Sequence, residues 1–163
     1  MKKLWLVMIL ILSACSERVG PERSDDDAIQ IAFFAELIDR HPSSSAAAYC
    51  ISTGAWENRL DPGSDVLTDL RSLFGKVQLA SACVVTETAI TFEGNPARAY
   101  HIDSVVRTDN TATVTGFYRQ GATIGATYQA GLEKQGSLWV VASMARVDQV
   151  QVGQQAEIRF VRS

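Results

Sequence analysis

His101 and Asp103 lie two positions apart in a run rich in β-branched and aromatic residues, Ala99 to Arg107. Alternate residues of a strand share a face, so an imidazole and a carboxylate at this spacing could form a hydrogen-bonded acid–base pair. The intervening Tyr100 and Ile102 are the apolar members of the run. They are the ones expected to point inward, which turns His101 and Asp103 toward solvent. Tyr118 and Tyr128 could line a cavity, although a tyrosine on a sheet commonly packs its ring and leaves its hydroxyl wet. Trp56 and Trp139 divide in the same way between pocket wall and plain packing. Other chemistries lack their spacing. No serine sits in a Gly-x-Ser-x-Gly elbow, and Gly116, Gly121, Gly125 and Gly131 fall in or between strands with no helix after them to cradle a phosphate. Asp25-Asp26-Asp27 lacks the alternating ligands of a calcium loop. Cys50 and Cys83 have neither Cys-x-x-Cys spacing nor, with His41 and His101, the spacing of a zinc site. These patterns call for no metal and no cofactor.

The elements that must position these residues change type along the chain. Ser24, with Asp27 three residues on, reads as a helix start, and Asp25, Asp26 and Asp27 suit the positive end of a helix dipole. Ile29, Phe33 and Leu37, flanked by Phe34 and Ile38, form one apolar stripe that runs to about Arg40, where His41-Pro42 stops it. The stretch from Ala46 to Thr53 fits a short strand or a helix. Asp61-Pro62 predicts a second helix over 62–74, with Val66, Leu67, Leu70 and Phe74 on one side and Gly75 closing it. From Val77 onward the pattern is β. Runs at 84–92, 99–107, 111–119, 123–134 and 137–147 are separated by Gly94-Asn95-Pro96, Asp109-Asn110, Gln120-Gly121 and Gln135-Gly136. Spacers this short predict hairpins and an antiparallel meander, with 157–161 as a last edge strand.

The N-terminus carries an address. Lys2 and Lys3 precede an apolar run of about nine residues, shorter than the roughly 20 that a membrane-spanning helix needs, so residues 1–14 read as a secretory signal. The next four positions of interest, Leu12-Ser13-Ala14-Cys15, resemble the lipobox of bacterial lipoproteins. That resemblance implies that Cys15 becomes the lipidated first residue of the mature chain and attaches it to the cell envelope. Ser16 resembles the type sorted to the outer membrane, facing the periplasm. Residues 15–24, broken by Gly20 and Pro21, then read as a tether, about ten residues reaching roughly 35 Å when extended. Residues 25–163 form one domain.

Loss of Lys2 and Lys3 leaves 13 basic against 18 acidic residues, a net charge of −5 in place of −3. An acidic exterior without a basic stripe argues against nucleic acid as a partner, and leaves membrane attachment to the lipid on Cys15. Assigning Cys15 to lipid leaves Cys50 and Cys83 as a pair in an oxidising compartment, where a structural disulfide is the expected outcome.

Helices first and a meander afterwards predict an α+β domain, two or three N-terminal helices packed on a curved antiparallel sheet of four to six strands. This order, with Gly136-Ser137-Leu138-Trp139-Val140-Val141 entering the terminal strand, resembles the cystatin-like superfamily and within it the nuclear transport factor 2-like domains. Tyr49-Cys50-Ile51, Asp61-Pro62, Ala80-Ser81-Ala82-Cys83 and the Trp-Val-Val strand also resemble bacterial lipoproteins without an established activity. The first resemblance implies a cone-shaped sheet that can hold a small molecule. In some relatives an Asp base and a Tyr acid work inside that cone, roles for which His101, Asp103, Tyr118 and Tyr128 are the matching types here. Two functional classes follow. One is a non-enzymatic envelope module that binds a partner protein or a small apolar ligand, which the lack of any catalytic motif favours. The other is a ketosteroid-isomerase-like enzyme of the cone-pocket kind, which requires an ionisable group inside a roomy pocket.

Overall fold

The computed structural model describes residues 23–121 and 123–147. Cys15, the signal and most of the tether, and the strand expected at 157–161 lie outside the described residues.

Helix α1 (Asp25–Arg40) starts as its sequence requires. The Ser24 hydroxyl oxygen accepts from the Asp27 amide at 3.1 Å, while its proton goes to the Asp27 carboxylate at 2.7 Å. One orphan amide at the helix start is thereby satisfied, worth about 1 kcal/mol. The apolar stripe of Ile29, Phe33, Phe34, Leu37 and Ile38 is buried along its length. The chain then forms β1 (Ala48–Thr53), helix α2 (Ser64–Phe74), β2 (Val77–Leu79), β3 (Val84–Val85), β4 (Ile90–Phe92), β5 (Asn95–Arg107), β6 (Thr111–Gln120), β7 (Thr123–Gln135) and β8 (Leu138–Val147).

The domain is α+β, two α-helices among the described residues against a large, curved, open sheet. The sheet is mixed, which corrects the expectation of an antiparallel one. Its order is β2-β1-β5-β6-β7-β8, with β4 added to the start of β5 and β3 to β4. The meander from β5 to β8 is antiparallel as expected, but β1 runs parallel to both β2 and β5. A parallel neighbour needs a crossover, and α2 supplies it between β1 and β2. The segment 46–53 resolves as strand. Among the described residues eight strands replace the four to six expected, because the run 84–92 breaks into two short strands at the turn 86–89 and Val77–Leu79 pairs separately. Helix α2 also begins later than Asp61-Pro62 suggested. Gly63 caps it, and the Asp61 carboxylate instead accepts from the Ser81 amide at 3.0 Å.

The sheet separates two cores. On one side Tyr49, Ile51, Tyr100, Ile102, Val114 and Leu132 meet the stripes of α1 and α2. On the other, Ala48, Cys50, Ala97 and Ala99 lie under Cys83 and Ile90 of the β3–β4 flap. Strand alternation divides β1 and β5 between the two. Cys50 and Cys83 are joined by a disulfide, Cα to Cα 6.3 Å, that ties the central strand to the flap. The flap returns to β5 through Glu93 and Gly94, both at positive φ (50° and 77°), the geometry of a two-residue hairpin turn. At the far end, the Asp25 carboxylate accepts from Trp139 Nε1 at 2.9 Å and pairs with Lys134 at 2.8 Å, which fastens the start of α1 to β7 and β8.

Candidate functional site

His101 is fully buried, contrary to the solvent-facing position expected from its apolar neighbours. The expectation assumed one buried face. Strand β5 is central and covered on both, by α1 beneath Tyr100 and Ile102 and by Trp56 and Phe117 above His101. His101 Nε2 lies 2.7 Å from the Gly54 carbonyl, which can only accept, so this nitrogen carries the proton. Nδ1 then accepts from the Ser52 hydroxyl at 2.8 Å. Burial lowers the His101 pKa and keeps the ring neutral. A serine and a histidine therefore stand in hydrogen-bond contact, but both are shut off from solvent and both ring nitrogens are occupied. They work as a lock between β1 and β5. Asp103 does not join them. It occupies the bulge between Ile102 and Ser104, where it is exposed and has no partner position on β6.

Tyr118 and Tyr128 sit on the opposite, helix-covered face, where the structure brings them together around His41. Tyr118 stacks on the His41 ring at 4.4 Å between centroids, and His41 Nε2 lies 2.7 Å from the Tyr128 hydroxyl. Arg98 reaches over the Tyr118 ring and donates to the His41 carbonyl at 2.8 Å; the Tyr100 hydroxyl donates to the same carbonyl at 2.5 Å. Burial first, then the charges of Arg98, Arg40 and Arg146, lowers the His41 pKa. The sequence showed His41 as a helix stop and as a histidine without zinc-ligand spacing. The signal it offered was its place at the end of α1, the point where a helix carbonyl meets the inward side of the sheet.

Both histidines resist protonation, and this fixes a pH dependence. Below the ordinary histidine value of 6.5 the unfolded chain takes up protons that the folded chain refuses. Stability is thus full above about pH 6.5 and falls as the pH drops through it. Asp25, whose pKa is lowered by its bonds from Lys134 and Trp139, loses its contribution only below its ordinary value of 3.8. The expected result is a melting temperature that is flat from pH 8 to 7 and declines toward pH 5, with a shallower decline in His41→Gln. A melting temperature unchanged between pH 8 and 5 would contradict it.

Two of the surface cavities formed by the described residues have aromatic or apolar walls suited to binding. Ala32 and Ala35 of α1, Leu73 and Phe74 of α2, and Val140 and Val141 of β8 line an apolar groove of about 490 Å³. Leu73 is 61% exposed at its margin, and Glu36 and Asp39 stand on its rim. On the other side of the sheet, half-buried Trp56 stands at a cleft of about 280 Å³ shared with Arg59, Glu57, Glu87 and Arg119. Among the described residues no group of three or more His, Cys, Asp or Glu side chains could hold a metal ion, and no helix is long and apolar enough to cross a membrane. No protein-family model, curated protein or solved structure matches the chain.

Proposed function

We propose that the chain is a lipid-anchored lipoprotein of the bacterial envelope, held on the outer membrane by Cys15 and facing the periplasm. Its nuclear transport factor 2-like roll, of the cystatin-like superfamily, serves as a non-enzymatic module that binds a partner protein. The observation that carries this reading is the apolar groove beside β8. Among the described strands β8 ends the sheet and is paired on one side only. A strand edge offers main-chain hydrogen bonds, and a neighbouring groove offers pockets for alternate side chains, so the occupant is an extended apolar segment. Glu36 and Asp39 on the rim favour one flanked by Lys or Arg.

The cone-pocket enzyme fits less well. Its chemistry needs room between the helices and the sheet, and α1 fills that space, with the Phe33 ring seated on Gly116. His101 is locked, and Asp103 is exposed on a bulge of β5.

A synthetic peptide of about six residues, alternating valine and threonine between terminal lysines, matches one strand pairing. Fluorescence anisotropy should show saturable binding. Leu73→Asp should weaken it by about tenfold or more, since burying one leucine side chain is worth about 1.5–3 kcal/mol. Binding that ignores Leu73→Asp, or that is as tight for a glutamate-flanked peptide, would refute the groove. The anchor has its own test. Cys15→Ala should move the protein from the membrane to the soluble envelope fraction, and an intact mass lacking acyl chains on the wild type would exclude lipidation.

A further inference from the structure

We propose that the cleft beside Trp56 is a binding site for a small zwitterion, a molecule that carries both a free carboxylate and a free ammonium, as an amino acid or a short peptide does. The site is separate from the β8 groove and lies on the other face of the sheet. Its floor is rigid. The Trp56 ring packs edge-on against His101 and Phe117 at 5.3 Å each, and His101 is itself fixed by Ser52 and Gly54. Two guanidinium groups are held on that floor. Arg59 lies 5.1 Å and Arg119 5.4 Å from the indole centroid, within cation–π range.

Backbone carbonyls fix both cations further. Arg59 donates to the Trp56 carbonyl at 3.2 Å; Arg119 donates through Nε to Gly121 at 2.8 Å and through a terminal nitrogen to Glu87 at 3.4 Å. Their side-chain freedom is therefore lost on folding and not on binding, which is the condition for a strong small-ligand site. A guanidinium has five donors in a planar fork, and the Trp56 carbonyl takes one of Arg59's, so its fork can meet a carboxylate.

The ligand class follows from the other two charges. Glu57 and Glu87 line the same cleft as Arg59 and Arg119. A simple anion would face the glutamates, and a simple cation would face the arginines. A molecule carrying both charges meets each with its opposite, and the cleft of about 280 Å³ has room for one or two small residues. Apolar side chains of such a ligand would lie on Trp56 and Val85.

The probes are alanyl-alanine with free ends, its N-acetyl form, its C-terminal amide and free alanine. The readout is the Trp56 indole proton in an NMR titration, assigned with Trp56→Phe. Alanyl-alanine should shift it saturably. Each blocked form should bind about tenfold or more weakly, the loss of one charge-assisted hydrogen-bonded end. Free alanine binding as tightly as the dipeptide identifies the amino acid as the source; dipeptide preference identifies a peptide. Arg59→Gln should equalise the free dipeptide and its amide, and Glu57→Gln should equalise the free dipeptide and its acetylated form. Glu57 is exposed, whereas Arg59 is half-buried against Trp56, so Arg59→Gln and Arg119→Gln are read only after their melting curves match wild type. The proposal fails if no probe shifts the signal through the millimolar range, or if the blocked forms bind as well as the free one.

Discussion

Cys50→Ala combined with Cys83→Ala is expected to lower the free energy of unfolding by about 3–4 kcal/mol, and the melting temperature by about 10 °C. The bond closes a sequence separation of 33 residues that includes the whole of α2 and the Trp56 turn. Without it the unfolded chain regains the freedom of that loop. The folded chain also loses contacts it can hardly spare. The second core is thin, and its buried members besides the cysteines are three alanines of the central strands, Ala48, Ala97 and Ala99, with Ile90 of the flap. The flap strands β3 and β4 have two and three residues and pair only with each other and with the start of β5. Such short pairing does not sustain itself in water. Reduction of the wild type should reproduce the loss seen in the double variant. Peptide binding at the β8 groove should survive, because Cys50 and Cys83 lie on the opposite side of the sheet. A melting temperature within about 2 °C of wild type would show that the bond carries no stability.

Much of this architecture was written locally. Ser24 and Asp27 give α1 its start, Phe33 and Leu37 give it a buried face, and the short polar spacers after Arg107, Gln120 and Gln135 leave little but hairpins to build. Those signals act over a few residues, and the fold obeys them. What escaped was non-local. Nothing in Ala48–Thr53 states that its neighbours run parallel to it, since that depends on the path of α2 between β1 and β2. The error at His101 has the same origin. Alternation tells which residues share a face but not whether the second face is covered, and the cover here comes from Trp56, far away in sequence. Asp61-Pro62 has the chemistry of a helix start, yet the Ser81 amide claims the aspartate.

The functional surfaces divide along the same line. Tyr118, Tyr128 and Trp56 stood out by residue type, but their partners His41, Arg98, Arg59 and Arg119 acquire meaning only once the sheet has folded. A stacked cation has no sequence periodicity. The apolar wall of the groove beside β8 is built from two alanines, two valines, Leu73 and Phe74, which, read singly, look like any core.

Phe33→Ala is expected to cost about 3–5 kcal/mol, a large share of the 5–15 kcal/mol typical of a domain. Phe33 is fully buried in the middle of α1, where its ring lies over the sheet at Gly116. The absence of a side chain on β6 is what lets the helix come so close. A Cβ at position 116 would stand 2.7 Å from the Phe33 ring, and closer still to the carbonyl oxygen of His101. Two obstacles thus oppose any substitution at Gly116, one flexible and one fixed in the backbone of β5. This separates two outcomes. If the ring were the whole obstacle, Gly116→Ala would be tolerated in the Phe33→Ala background and would refill part of the cavity. Because the His101 carbonyl remains, the double variant is expected to be less stable than Phe33→Ala alone, by about 1–3 kcal/mol of overpacking. Urea unfolding of the three variants measures the sign directly. A double variant more stable than Phe33→Ala would mean that β5 can yield at His101, and the lock formed by Ser52 and Gly54 would then be looser than its hydrogen bonds imply.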